Sequence, residues 1–300
     1  MKIVITGGSG LVGRRLIKHL MKVGHTVSVL SRHAGTNMPA GVIVNVWDGG
    51  NALTLEESLR NADAVVHLAG EPVAQRWSSA AMDRIRGSRI DGTRNLVAAI
   101  GKLAKKPEVL VSASAIGYYG SRRDEMLDEH STPAQDFLGS LCIEWEREAR
   151  AAEALGVRVV CVRTGVVLDT RGGALAKMLP PFKMGVGGRL GDGCHWMSWI
   201  HADDLCAMYR FAVETPTVRG AINGVAPNPA TNTEFTKALG AALHRPTIFP
   251  MPAFVLKVMF GEMSEILLAS QRVVPKAAQS AGFQFRFPEL APALADVLRT

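Results

Sequence analysis

Cysteine is scarce in this chain. Cys142, Cys161, Cys194 and Cys206 are the only four in 300 residues, and none stands in a C-x-x-C pair or at ligand spacing from a histidine. A disulfide framework and a zinc finger are excluded on that spacing, and buried reduced thiols are the expected role. No run of ~18 apolar residues is present, so no segment is expected to span a membrane. Basic residues outnumber acidic ones, 34 to 27, but they are scattered, with only doublets such as Lys105-Lys106 and Arg122-Arg123. There is no basic patch interleaved with aromatics, and a nucleic-acid partner is not expected. The positive balance suits an anionic ligand instead. Internal repeats and low-complexity tracts are also missing. The chain opens directly on a strand-like run, which predicts no signal peptide and a cytoplasmic location. Three hundred residues make one large or two small soluble domains with ample core.

The most informative stretch that is present runs from Met1 to Gly13. An apolar run, Ile3 to Ile5, breaks into glycines and then into a helical pattern of Leu11, Val12, Leu16, Ile17 and Leu20. Gly8, Gly10 and Gly13 fit a G-x-G-x-x-G spacing, and Gly7, Gly10 and Gly13 fit G-x-x-G-x-x-G over the same turn. Such a turn needs one glycine for the bend, one for close approach to a pyrophosphate and one for helix–strand packing. The free N–H groups and dipole at the helix start then hold the phosphates. Gly7, Gly10, Leu11, Val12 and Gly13 are therefore expected to bind a dinucleotide.

Further along, apolar runs at 3–6, 26–30, 42–46, 64–68, 109–112 and 157–163 alternate with helical patterns at 11–23, 54–60, 78–104 and 134–155. This alternation predicts an α/β fold with a doubly wound parallel sheet, covered on both faces. Ligands sit beyond the carboxyl ends of such strands. Ser31-Arg32, Asp48, Leu68-Ala69-Gly70, Ser112 to Ser114 and Arg163-Thr164-Gly165 are therefore the places to look. Residues 1–170 are read as the dinucleotide-binding domain. Residues 171–245 are read as a mixed region that completes the sheet and shapes a cleft, and 246–300 as a small, mostly helical appendage. The glycine-rich stretch from Gly172 to Gly193, with Pro180-Pro181 inside it, reads as a pocket-shaping loop. Ala202–Val213 and Thr233–Leu243 read as helices capped by Asp203 and by Asn232 or Thr233.

Enzymes that use NAD place Asp or Glu after the second strand, where it binds the ribose 2′-hydroxyl. This chain has Ser31-Arg32-His33 there and no carboxylate nearby. Arg32 complements a 2′-phosphate and Ser31 adds a hydrogen bond, which selects NADP(H) over NAD(H).

These residues resemble the extended short-chain dehydrogenase/reductase superfamily, in its NAD(P)-dependent epimerase/dehydratase group. Thr6-Gly7-Gly8-Ser9-Gly10-Leu11-Val12-Gly13, His67-Leu68-Ala69-Gly70 and Gly92-Thr93-Arg94-Asn95-Leu96 match its motifs. Gly117-Tyr118-Tyr119-Gly120, Arg163 to Leu168, Trp199 to Asp204, Asn223 to Pro227 and Gln271 to Pro275 narrow the similarity. They point to the subgroup called epimerase family proteins, whose tail is a domain of unknown function. The resemblance implies a Tyr-x-x-x-Lys pair, a Ser and an Asn as the proton-transfer set. At those places this sequence has Phe137, Leu141 and Arg89, and only a serine, Ser114, remains. A phenyl and an isobutyl group transfer no proton, so the superfamily's usual mechanism cannot run here.

Two explanations stay open. In one, Tyr118 and Tyr119 substitute as acid/base beside Ser114, in an oxidoreductase or epimerase acting on a small carbonyl or sugar-like substrate. Arg89 then supplies positive charge, Arg89 and Ser112 are expected to meet the cofactor, and Arg163 the cofactor or a substrate carboxylate. In the other, the protein binds NADP(H) without turnover, as a sensor or regulatory partner. His201 is expected to pack behind Asp203, and His195, Asp203 and Asp204 lie near the pocket without a catalytic role. Glu144 and Glu146 are expected on a solvated helix face, and no metal site is expected. A monomer or a homodimer is expected, with the helices at 78–104 and 134–155 as the dimer faces the resemblance implies.

Overall fold

The structure is a computed structural model and describes residues 1–33, 37–47, 52–261 and 264–299. In chain order its first half comprises β1 (Lys2–Thr6), α1 (Leu11–Lys22), β2 (Thr26–Ser31), β3 (Ile43–Val46), α2 (Ala52–Leu59), β4 (Ala64–His67), α3 (Ser79–Lys102), β5 (Val109–Ala115), a 3₁₀ turn (Ile116–Tyr119), β6 (Met126–Leu127), α4 (Phe137–Arg150) and β7 (Arg158–Thr164). The remainder comprises β8 (Val166–Leu168), α5 (Gly173–Lys183), β9 (Trp196–Met197), β10 (Trp199–His201), α6 (Ala202–Glu214), β11 (Gly220–Gly224), β12 (Ala230–Thr231), α7 (Asn232–Leu243), α8 (Ala253–Phe260), α9 (Ser264–Leu268), β13 (Arg272–Val273), α10 (Lys276–Ser280) and α11 (Leu290–Arg299).

Seven strands form one sheet in the order β11-β7-β5-β4-β1-β2-β3, and every pairing in it is parallel. The inner strands read as continuous apolar runs because both faces are covered. Alternate residues serve opposite layers. Ile3, Ile5, Val66, Val111 and Val162 pack against Leu16, Ile17 and Leu20 of α1 and Leu205, Met208 and Tyr209 of α6. Val4, Val65, Leu110 and Val159 pack against Leu55 and Leu59 of α2, Leu96, Val97 and Ile100 of α3 and Ala149 of α4. The chain runs outward from β1 in one direction through β2 and β3, and in the other through β4 and β5. The topological switch point therefore lies at β1 and β4, and a crevice opens at their carboxyl ends.

A second, smaller core joins α5, α7 and α11 through Leu175, Leu179, Phe182, Phe235, Leu239, Leu294 and Val297. It corrects the reading of 172–193 as a loop over Gly173–Lys183, while 184–193 carry no helix or strand. Leu175, Leu179 and Phe182 recur at helical spacing and are buried, and this stripe carries α5 through Pro180 and Pro181. Two caps also differ from expectation. The His201 side chain, not Asp203, accepts the Asp203 N–H at the start of α6. Thr231 and Glu234 form a capping box at α7, while Asn232 turns inward to accept the Leu190 N–H. Three cysteines are buried as expected, but Cys194 is exposed. Asp48 lies outside the described residues.

Candidate functional site

The glycine turn sits at the switch point, and its sterics explain its composition. Gly7 has φ +71°, and a Cβ on it would lie 2.7 Å from the Ala69 nitrogen and the Leu68 carbonyl carbon. The chain leaving β4 passes directly over it. At Gly13 a Cβ would stand 2.5 Å from the Gly7 oxygen and 2.6 Å from the Gly8 Cα, so α1 rests on the turn with no room between. Gly10 donates its N–H to the Gly7 carbonyl at 3.0 Å and is exposed. The first turn of α1 carries no acidic side chain, leaving its N–H groups open to an anion. Arg14, which the sequence reading passed over, donates from Nε to the Ser9 carbonyl beside this turn. Leu11, Val12, Leu68 and Ala69 are half-buried and Gly70 is exposed around the same opening.

At the next strand end, Ser31 is buried and Arg32 is exposed, and Arg32 has no ion pair among the described residues. Arg89 lies beneath the β4 loop. Its Nη1 donates to the Glu71 carbonyl at 2.9 Å, and its guanidinium sits where a Cβ on Gly70 would come within 3.0 Å. Burial lowers its pKa. Arg89 thus supports the loop from behind and stacks over Trp145 at 5.0 Å.

Beneath the turn, His67 bridges Thr6 (Nδ1 to Oγ1, 2.6 Å) and Thr93 (Nε2 to Oγ1, 3.0 Å). The Thr93 hydroxyl donates to the Arg89 carbonyl, so Nε2–H must be the donor to Thr93 and Nδ1 the acceptor from Thr6. The imidazole is neutral. Burial, with the Arg89 charge, lowers its pKa from 6.5 to about 4. A depressed folded-state pKa contributes stability fully present above pH 6.5 and lost as pH falls through about 4, on the order of 3 kcal/mol. Urea titrations from pH 7 to pH 4 should therefore show a flatter stability profile for His67→Asn than for the parent. Parallel profiles would mean that the folded imidazole titrates normally.

Behind the opening lies a network the sequence did not announce. Glu146 of α4 is 6% exposed and pairs in bidentate fashion with Arg163 of β7, Nε to Oε1 and Nη2 to Oε2, each at 2.8 Å. Ser114 donates to the same carboxylate at 2.7 Å. Arg163 Nη1 reaches the Tyr119 hydroxyl at 3.0 Å, and that hydroxyl donates to Asn223 Oδ1 at 2.7 Å. Asn223 is fixed in turn by Val274 and Glu129. Desolvation works to lower the Arg163 pKa, but the Glu146 hydrogen bonds and charge raise it above the ordinary guanidinium value. Burial pushes the Tyr119 phenol up to about 12, although Arg163 and Asn223 pull the other way.

Several expectations are corrected here. Ser112 is fully buried and donates to the Ala113 carbonyl, so it faces no ligand. Arg163 is 4% exposed, and its Nε, Nη1 and Nη2 are engaged by Glu146, Tyr119 and the Glu129 carbonyl, so it is turned into the protein and not toward a substrate carboxylate. Tyr119 is sealed in with its hydroxyl fully engaged, and Ser114 is 4% exposed with its proton committed to Glu146. Tyr118 differs: it is half-buried, with the Arg163 guanidinium 3.4 Å over its ring. Glu144 does face outward, paired with Arg86, but Glu146 does not. Phe137 stacks edge-on against Trp77, and Leu141 packs with Ile85 and Ile90 of α3. Where the resemblance implies a proton-transfer pair, the helix carries an apolar contact. His201 is buried, and Asp203 pairs with Arg15.

The sheet order and the glycine turn at its switch point define a Rossmann-type, doubly wound protein. The chain belongs to the NAD dependent epimerase/dehydratase family, whose model matches residues 3–223, and residues 251–297 match a domain of unknown function (DUF1731). It is 40% identical over 306 residues to the chloroplastic epimerase family protein SDR39U1 homolog of Arabidopsis thaliana, covering 100% of this chain and 87% of that one. It is 38% identical over 299 residues to epimerase family protein YfhF of Bacillus subtilis, covering 99% and 98%. The crystal structure of human epimerase family protein SDR39U1 with NADPH superimposes with a TM-score of 0.90 at 36% identity, covering 100% and 99%. Among the described residues, no helix is long and apolar enough to cross a membrane.

Proposed function

We propose that this chain binds NADP(H) at the glycine turn and is an oxidoreductase or epimerase acting on a small carbonyl or sugar-like substrate. The observation that carries the cofactor is the cradle itself. Gly7 and Gly13 admit no side chain, the start of α1 carries no acid, and the exposed Arg32 follows β2 with no carboxylate nearby in the sequence. A related protein crystallised with NADPH supports the same choice. Bound there, the nicotinamide supplies hydride transfer. The N–H groups of Leu11, Val12 and Gly13 hold the pyrophosphate, Ser31 and Arg32 hold the 2′-phosphate, and Leu68 to Gly70 wall the cleft. The net charge of +7 favours an anionic substrate.

Of the three hydroxyls Ser114, Tyr118 and Tyr119, only that of Tyr118 is left to exchange a proton with a substrate. Glu146 and Arg163 set the Tyr118 ring in place and hold the Ser114 and Tyr119 hydroxyls. A second reading, NADP(H) binding without turnover, draws on the same observation, because two of the three hydroxyls are locked. A panel of carbonyl compounds and nucleotide sugars, followed at 340 nm and by product isomers, separates the two. The enzyme reading expects turnover that falls by about 100-fold in Tyr118→Phe, the scale of general acid–base catalysis. Tight NADPH binding with no turnover across the panel selects the second reading, and full activity in Tyr118→Phe removes that tyrosine from the chemistry.

A further inference from the structure

Away from the glycine turn, a cavity of about 260 Å³ opens between one face of α7, Arg189, and Thr247, Ile248 and Pro250. Thr233, Thr236 and Lys237 line it from the helix, and Arg189 and Thr247 face them. Gly240 continues this helix face; a Cβ there would come 2.3 Å from Thr247 Cγ2, so the missing side chain lets that wall close up. The opposite wall is held by two backbone bonds, Met251 N–H to the Arg189 carbonyl at 2.8 Å and Gly191 N–H to the Met251 carbonyl at 2.9 Å.

Three observations give this cavity a sign. First, Arg189 and Lys237 are exposed, and neither forms an ion pair among the described residues. Second, residues 171–191 and 235–261 contain no Asp or Glu. Of the carboxylates next to these segments, Glu234 is held by the Thr231 N–H and hydroxyl and Asp192 by the Cys194 N–H, and Glu262 lies outside the described residues. Third, Thr236 is 3% exposed and lines the cavity, yet its hydroxyl has no hydrogen-bond partner. A buried hydroxyl without a partner is costly, and a native one calls for an acceptor. Two unpaired cations and an unmet hydroxyl donor together ask for a compact, multivalent oxygen anion.

The surroundings describe what carries that anion. Ile248 lines the cavity and is 72% exposed, and Phe254 and Val258, on the α8 helix that follows the cavity-lining Pro250 in the chain, are 71% and 84% exposed. Exposed apolar side chains on the segment that lines a polar pocket suit a ligand with an apolar part. We propose that this cavity binds the phosphate group of a phosphate ester whose remainder is apolar, with Arg189, Lys237 and Thr236 as the phosphate ligands. The site shares no residue with the glycine turn and does not depend on the cofactor reading.

Titration calorimetry with inorganic phosphate and with hexyl phosphate tests it. Hexyl phosphate should bind more tightly than phosphate. Arg189→Ala and Lys237→Ala should each weaken both by about tenfold, the scale of one lost charge-assisted hydrogen bond. Thr236→Val is the sharper probe: it should weaken phosphate binding while its melting temperature stays level or rises, because it removes an unmet buried hydroxyl. Saturating NADPH should leave hexyl phosphate binding unchanged, which separates this site from the cofactor turn. Phosphatidylcholine vesicles with and without phosphatidic acid identify the source. Co-sedimentation lost in Thr236→Val assigns a lipid headgroup, and binding of the soluble ester alone assigns a free metabolite. No saturable binding of hexyl phosphate, or equal binding by parent and all three variants, overturns the proposal. Vesicle binding indifferent to Thr236 also overturns it, since that is general charge attraction.

Discussion

Replacing Glu146 with Ala should cost this protein about 3–5 kcal/mol of folding stability, the range for removing one partner of a buried ion pair. The side chains of Arg163 and Glu146 are 5% and 8% exposed, so no water is available to solvate the orphaned guanidinium. Ser114 would lose its acceptor at the same time. For a chain of this size the melting temperature should drop by about 10 °C. Two controls isolate the cause. Glu144→Ala, two residues away, breaks only the exposed pair with Arg86 and should change stability by less than about 1 kcal/mol. The double variant Glu146→Leu with Arg163→Met removes both charges and should recover most of the loss. Equal melting curves for Glu146→Ala and Glu144→Ala would show that the pair does not hold α4 to β7.

Gly13→Ala is expected to have the largest effect on ligand binding. The added methyl would meet the Gly7 oxygen at 2.5 Å and the Gly8 Cα at 2.6 Å. Both are backbone atoms of the turn and cannot step aside as a flexible side chain would. Either α1 lifts from β1, or the turn itself shifts and misaims the N–H groups that face the phosphates. Overpacking of this kind costs about 1–3 kcal/mol, and misplaced N–H donors should weaken NADPH binding by about 100-fold or more. Gly92→Ala in α3 is the natural comparison, because nothing lies within 4 Å of its Cβ position. A helical Gly-to-Ala exchange there should be neutral or stabilising.

The part of this molecule built from local pattern was legible in the sequence. A buried apolar strand, a glycine turn and an amphipathic helix are each written in consecutive residues, and β1, the turn and α1 lie where that pattern puts them. The strand-end rule also led to Ser31, Arg32 and Leu68 to Gly70, because parallel topology fixes where strands end. What stayed hidden depends on partners distant in the chain. Glu146 and Arg163 meet across α4 and β7, and Tyr119 meets Asn223 from 104 residues away; no local spacing encodes either contact. One signal was available for Glu146. It follows Cys142 by four residues, on the stripe that also buries Leu141, Trp145 and Ala149, and a carboxylate on an apolar stripe requires a buried cation. α5 was obscured for a different reason: Pro180 and Pro181 suggest a break, while tertiary burial of Leu175, Leu179 and Phe182 overrides them.

The choice of cofactor is where sequence, geometry and function meet most directly. Calorimetric titration of NADPH and NADH into the parent chain and Arg32→Ala measures it. The account predicts that the parent prefers NADPH by tenfold or more, the worth of about 1.5–3 kcal/mol for hydrogen bonds from a charged group. It also predicts that Arg32→Ala loses that preference by weakening NADPH alone. NADPH and NADH binding with equal affinity to the parent, or an Arg32→Ala chain that still prefers NADPH, would contradict it.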